Sequence, residues 1–177
     1  MANDDLDFLD NIDVDNSTPP SVGSNKPLWQ RKLSGFYAGK VTFAKGALKD
    51  FSNGLTTELL CTIVNPENPQ RDVIQFMYGP KAVRILGTAL VTMGVKVGDV
   101  KKYLTAPNPT TLAPVLKALE GKEFYVVQTP SGRFHNHRVY TDTGWKGLCA
   151  TYGGRDPQPQ DYGFAAKSED GGDDDLF

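Results

Sequence analysis

Apolar and polar positions alternate along this chain in two periods, and the switches between them lay out the expected elements. From Gly35 the run Phe36-Tyr-Ala-Gly-Lys-Val-Thr-Phe-Ala-Lys45 is rich in the aromatic and β-branched residues that suit a half-buried pleat. It predicts a first strand, with Gly39 marking a bend or bulge. A loop containing Gly46 and Asn53-Gly54 then leads into Thr56 to Val64, where Thr57, Leu59, Cys61 and Ile63 alternate with Glu58 and Thr62, the period-two signature of a second strand. Asn65-Pro-Glu-Asn-Pro69 ends it, and a third strand, Asp72 to Tyr78, stops at Gly79-Pro80. The period then lengthens: Val83, Leu86, Leu90 and Met93 form a helical stripe that opens after Pro80 and closes near Gly94. Shorter helical pieces are expected at Gly98 to Leu104 and Thr111 to Leu119, the latter capped by Thr110 or Thr111 and broken or reset by Pro114. Two more strands, Glu123 to Thr129 and Phe134 to Thr141, are joined by the tight connection Pro130-Ser-Gly-Arg133.

The ends carry a different pattern. Residues 1–25 hold six Asp and no Lys or Arg, and pass through Ser17-Thr-Pro-Pro-Ser21 into linker chemistry, so this arm is expected to be disordered. The last ten residues, Ser168 to Phe177, are an acidic tether tipped by two bulky apolar side chains, Leu176 and Phe177. The predicted organisation is therefore an acidic arm over 1–25, one folded domain over 26–152 and a flexible acidic tail over 153–177. Two cysteines, Cys61 and Cys149, fit ordinary buried thiols in a reducing compartment. The chain opens without a basic segment leading into an apolar run, and no run approaches the roughly 18 apolar residues of a membrane span, so a cytoplasmic location is expected.

Net charge conceals an asymmetry. The whole chain carries −2, yet residues 26–164 hold 18 Lys plus Arg against 10 Asp plus Glu, a net of +8 bracketed by acids. A cationic body attracts polyanions, and tethered acids can compete for the same surface. Within that body cations and flat rings alternate closely, as sequence-tolerant binding of single-stranded nucleic acid requires: rings for bases, cations for phosphates. Trp29 lies beside Arg31 and Lys32; Phe36 and Lys40 share a face of the first strand; Arg71 and Tyr78 flank the third; Arg133, Phe134, Arg138, Tyr140, Trp145 and Lys146 lie on or after the last. Any one of these rings could equally pack a core, and Phe43, Phe76 and Phe124 are assigned there. Trp29 and Trp145, beside basic residues and outside the strongest alternations, are the preferred stacking platforms.

Enzyme signatures fail. Gly121-Lys122 is followed by Glu123 and has no upstream glycine at phosphate-loop spacing, and no nucleophile elbow occurs. His135 and His137 share a strand face but bring too few companions for a metal, and the consecutive His-Asn-His string does not have the spread of a nuclease motif. No catalytic residue, metal or cofactor is expected.

The order strand, strand, strand, helix, strand, strand is that of the OB-fold, so the fold class expected is mainly β with a helical insertion (α+β): a five-stranded Greek-key barrel with a helix between strands three and four. Joined to the acidic tail, this resembles phage-type single-stranded-DNA-binding proteins. Asp173-Asp174-Asp175-Leu176-Phe177 is similar to the Asp-Asp-Asp-Ile-Pro-Phe terminus of the bacterial single-stranded-DNA-binding family, with the Pro absent and Leu in place of Ile. The resemblance implies a non-enzymatic protein that coats single-stranded DNA during replication, recombination or repair, in the bacterial host cytoplasm if phage-encoded. It also implies that the Asp173 to Phe177 tip recruits replication or recombination proteins such as a polymerase, helicase or nuclease, and that the protein could self-associate. The alternative is a protein-interaction adaptor or nuclease inhibitor with an OB-like body and acidic ends that mimic DNA.

Overall fold

The computed structural model describes residues 3–20, 36–52, 54–63, 73–131 and 134–163; of these, residues 3, 4, 63, 73, 75, 130, 131, 134 and 135 are described by backbone alone. Five strands, β1 (Tyr37–Phe51), β2 (Gly54–Ile63), β3 (Val73–Tyr78), β4 (Glu123–Ser131) and β5 (Phe134–Tyr140), form one open antiparallel sheet in the order β3-β2-β1-β4-β5. Helices α1 (Val83–Thr92), α2 (Val97–Thr105) and α3 (Pro109–Leu119) come between β3 and β4, and α4 (Asp142–Ala150) follows β5. Two 3-10 helices, η1 (Asn3–Asn11) and η2 (Pro159–Tyr162), lie near the two ends of the described chain. The fold is thus α+β. No helix among the described residues is long and apolar enough to cross a membrane.

The chain divides into two compact units, each assembled from separated stretches: Met1–Asp15 with Lys40–Phe124, and Asn16–Gly39 with Tyr125–Phe177. A single domain over 26–152 was expected; the contacts instead divide that stretch between two units, the first joining the N-terminal segment to the middle of the chain and the second joining residues 16–39 to the C-terminal part.

In the first unit, β1 is longer than its sequence pattern suggested and runs straight through Gly46. Glycine there is a packing device: a Cβ would stand 2.7 Å from Leu116 Cδ2 and 2.9 Å from Leu59 Cδ2, so α3 could not settle on the strand. A bulge lies between Phe43 and Lys45. Its extra residue switches parity, pairing Phe43 with Cys61 before it and Gly46 with Leu59 after it, and so leaves Lys45 and Lys49 exposed. Val41, Phe43, Leu59, Cys61, Ile74 and Phe76 face the core, where Phe124 packs 6.3 Å from Phe76. Each such side chain contributes about 1.5–3 kcal/mol by leaving water.

The helices of this unit follow their apolar stripes. Leu86 and Leu90 of α1, Val100 and Tyr103 of α2, and Leu112, Val115 and Leu119 of α3 are buried. The α3 cap is Asn108, whose side chain accepts from Thr111 N at 2.9 Å while Thr111 Oγ1 accepts from Asn108 N at 3.2 Å. Pro114 does not break this helix, which continues to Leu119. The reciprocal cap and the buried stripe on the opposite side of the exposed Pro114 offset the hydrogen bond that its ring removes. Tyr103 hydroxyl and Thr57 Oγ1 form a short buried hydrogen bond between α2 and β2.

The arm expected to be disordered is structured over residues 3–20. With three residues per turn, η1 stacks Leu6 and Leu9 on one face, and both are about 1% exposed, while Asp5, Asp7 and Asp10 point to solvent.

The second unit has its own core of Val127, Tyr140, Trp145, Leu148, Cys149 and Tyr162, with Phe36, Ala38, Tyr125 and Tyr152 at its margin. Helix α4 was not foreseen; Thr141 caps it by accepting from Gly144 N at 3.1 Å. Folded structure also continues past residue 152, the expected end of the domain, to Gly163. Both cysteines are free and buried.

Candidate nucleic-acid interface

The register of the β4–β5 hairpin decides which side chains share the face chosen from the sequence. Tyr140 pairs with Tyr125 and Arg138 with Val127, so these four lie on one side; Val139 and Val126, His137 and Gln128 lie on the other. His137 Nε2 and Gln128 Oε1 form a 2.6 Å rung across the strands.

The Arg138–Tyr140 face is covered. Residues Asn16 to Thr18 lie on it: Tyr140 hydroxyl donates to Thr18 O at 2.6 Å, Arg138 Nη2 donates to Asn16 Oδ1 at 3.2 Å, and Ser17 Oγ donates to Gly144 O at 3.0 Å. Arg138 Nε is buried with no hydrogen-bond partner among the described residues. Burial pushes the Tyr140 hydroxyl above its ordinary value, an effect that the nearby Arg138 charge opposes.

Trp145 is a core residue. Only 6% of it is exposed, and its ring stacks on Tyr125 at 4.8 Å and 14° and meets the edge of Tyr140 at 6.0 Å. Tyr78, 6.4 Å from Phe76, is buried in the first unit, with its hydroxyl pushed up by desolvation. Assignment of Trp145, Tyr140 and Tyr78 as open stacking platforms is therefore corrected: adjacent cations do not keep a ring in solvent when a helix or a neighbouring segment covers its face.

The cations divide similarly. Lys40 is exposed and 3.0 Å from Glu123; Lys146 is exposed and 3.9 Å from Asp142. Phe36 is half-buried, and Phe134 is described only as backbone in β5. Trp29, Arg31, Lys32, Arg71 and Arg133, and the tip residues Asp173, Asp174, Asp175, Leu176 and Phe177, lie outside the described residues.

The structure also brings together residues that the sequence pattern does not single out. After α4, Gly153 (φ 74°) and Gly154 (φ 89°) take left-handed conformations that side chains disfavour, and the chain turns back on itself. Arg155 thereby comes to lie over the Tyr152 ring at 5.4 Å and binds Asp161 through both nitrogens, at 2.6 and 2.8 Å. That guanidinium holds the Asp161 carboxyl below its usual range, helped by a hydrogen bond from Gln158 N. Tyr152 meets Tyr162 edge-on at 6.1 Å and donates to its hydroxyl at 3.0 Å; Tyr162 in turn lies 6.2 Å from Phe36. The result is a continuous ladder, Arg155–Tyr152–Tyr162–Phe36, in which the two outer rings are half-exposed and the inner one is buried. The signal available was the string Tyr152-Gly-Gly-Arg155 followed by Asp161-Tyr162. Half-open rings beside a guanidinium suit planar aromatic groups and phosphates. Among the described residues no group of three or more His, Cys, Asp or Glu is placed to hold a metal ion.

No protein-family model, no curated protein and no solved structure matches this chain.

Proposed function

We propose that this protein binds single-stranded DNA without catalysing a reaction, on an OB-like Greek-key barrel, and recruits replication or recombination proteins through its C-terminal tip. The observation that carries the reading is the strand order. Three consecutive strands followed by a fourth that returns beside the first, β4-β1-β2-β3, is the Greek-key arrangement. With β5 added beyond β4, and with β3 and β5 left as the edges, this order is compatible with a partly open five-stranded barrel, the architecture that recurrently holds oligonucleotides. The half-exposed Phe36 and Tyr152 with Arg155 supply ring and cation chemistry, and the +8 of residues 26–164 supplies attraction for phosphate. Such a protein works in the cytoplasm, where replicating strands are exposed.

A second reading, the protein-binding adaptor, is favoured by one observation: Lys40, Lys49, Lys101, Lys146 and Arg155 all have acidic partners within 4 Å, which reduces the charge open to phosphate. A titration of labelled single- and double-stranded oligonucleotides decides between them. Single strands should bind more tightly, with a log-log salt slope of about −3 to −4 for roughly four to six phosphate contacts. Phe36→Ala and Tyr152→Ala should each weaken binding by about 1–3 kcal/mol, the range for lost base stacking. Equal or tighter binding to blunt duplex, or no binding at low salt, overturns the proposal.

A further inference from the structure

The N-terminal helix η1 is seated on α1 and α2 by three kinds of contact. Leu6 and Leu9 are buried. Their floor includes Gly87 of α1, where a Cβ would stand 2.9 Å from Leu9 Cδ2 and 3.2 Å from both Leu104 Cδ1 and Phe8 Cζ. A glycine inside a helix is unfavourable, and this close approach accounts for its presence. Arg84 lies over the Phe8 ring at 4.4 Å, and Lys101 Nζ binds Asp10 Oδ2 at 2.8 Å. The surface thus offers an apolar floor for a leucine, a guanidinium for a ring and an ammonium for a carboxylate. Its surroundings match: residues 81–105 contain five basic side chains (Lys81, Arg84, Lys96, Lys101, Lys102) against Asp99 alone.

One other stretch of the chain carries the same chemistry. Asp173-Asp174-Asp175-Leu176-Phe177 presents an aliphatic anchor, a ring and clustered carboxylates, as Asp5-Leu6-Asp7-Phe8-Leu9-Asp10 does. We propose that the α1–α2 surface is a receptor for acidic Leu/Phe peptides, and that the C-terminal tip of a second copy exchanges there with the resident N-terminal segment. Recognition follows the general mode in which apolar anchors enter a groove between helices and charges at its rim select the sequence. The resident segment has the advantage of being tethered, so the incoming tip gains occupancy only when copies are concentrated, as they would be when bound side by side. The contact itself needs no DNA, and it links neighbouring copies through ends of opposite position in the chain.

The test uses the full-length protein and a fluorescein-labelled peptide of residues 168–177, followed by anisotropy in the absence of DNA. Saturable binding is expected. It should tighten at least fivefold in Phe8→Ala, which removes the ring under Arg84 and loosens the resident segment. It should weaken more than tenfold in the Arg84→Glu/Lys101→Glu double variant, whose changes lie at solvent-accessible positions. A peptide carrying Phe177→Ala should bind more than tenfold more weakly to the unaltered protein, a comparison that does not depend on any protein variant folding. Absence of binding, or equal binding of the Phe177→Ala peptide, overturns the receptor. Binding indifferent to Arg84→Glu/Lys101→Glu places the peptide elsewhere and also overturns it. An affinity unchanged by Phe8→Ala overturns the exchange.

Discussion

Trp145→Ala tests whether this ring packs a core or waits for a base. The indole is 6% exposed, stacked on Tyr125 at 4.8 Å and in edge contact with Tyr140 at 6.0 Å, so truncation removes most of its buried surface and two aromatic contacts. Deleting a buried Trp side chain costs about 3–5 kcal/mol through lost transfer energy and the cavity left behind. Aromatic pairing adds about 0.5–1.5 kcal/mol beyond area. At about 2–4 °C per kcal/mol for a protein of this size, Tm should fall by about 7–26 °C. Urea unfolding followed by far-UV circular dichroism gives the free energy. A Trp29→Phe background isolates the Trp145 fluorescence, because the chain has two tryptophans. Trp145→Phe should recover most of the loss by keeping a ring against Tyr125. A destabilisation below about 1 kcal/mol, together with a loss of single-strand affinity in the range for base stacking, would refute the packing argument and return Trp145 to the binding surface.

Thr57→Val strands the buried Tyr103 hydroxyl and should cost about 1–3 kcal/mol in urea unfolding, whereas the double change Thr57→Val/Tyr103→Phe should cost much less because neither polar group remains. Gly147→Ala puts a methyl group against Ser17 Oγ and Cβ, so it should destabilise the protein despite the better helix propensity of alanine; Ser17→Gly in the same chain should turn the effect neutral or stabilising. Stability should also fall in alkali. Burial pushes the Cys61 thiol up from 9.0 to about 12, so the folded state holds its proton longer than the unfolded chain: that contribution is complete below pH about 9 and disappears as pH rises toward 12. The limiting slope is about 1.4 kcal/mol per pH unit, with the buried Tyr78, Tyr103 and Tyr140 hydroxyls adding to it at higher pH. Cys61→Val should flatten the curve between pH 9 and 10.5, and parallel curves for the two proteins would contradict burial of the thiol.

What the sequence made legible, and what it hid, follows from the range of the interactions involved. The β2 to β5 strands and α1 to α3 are written in local periodicity, and they lie close to where the alternation and the helical stripes put them. The second half of β1 was hidden because Gly46 reads as punctuation, while its reason is a contact with Leu59 and with Leu116, 70 residues away along the chain. Helix α4 was hidden by composition: Gly144, Gly147 and Thr143 lower its propensity, and only the packing of Trp145 and Leu148 makes it worthwhile. In η1 the acids suggest a solvated arm, although Leu6 and Leu9 have the three-residue spacing of a 3-10 face.

The candidate site was harder to read than the fold, because strand parity says which side chains share a face and nothing about what covers it. Arg138 and Tyr140 do share a face, as the alternation required, but Asn16 to Thr18 lie over it. The aromatic and basic residues adjacent in sequence were therefore a poor guide to the residues adjacent in space. Arg155 reaches Tyr152 only through the left-handed Gly153-Gly154 turn, and Phe36 reaches Tyr162 across more than a hundred residues of chain. A cation beside a ring identifies a binding surface only when the ring keeps an open face. By that criterion Phe36 and Tyr152, half-exposed and joined through Tyr162 to Arg155, are where loss of single-strand affinity should appear without loss of the fold.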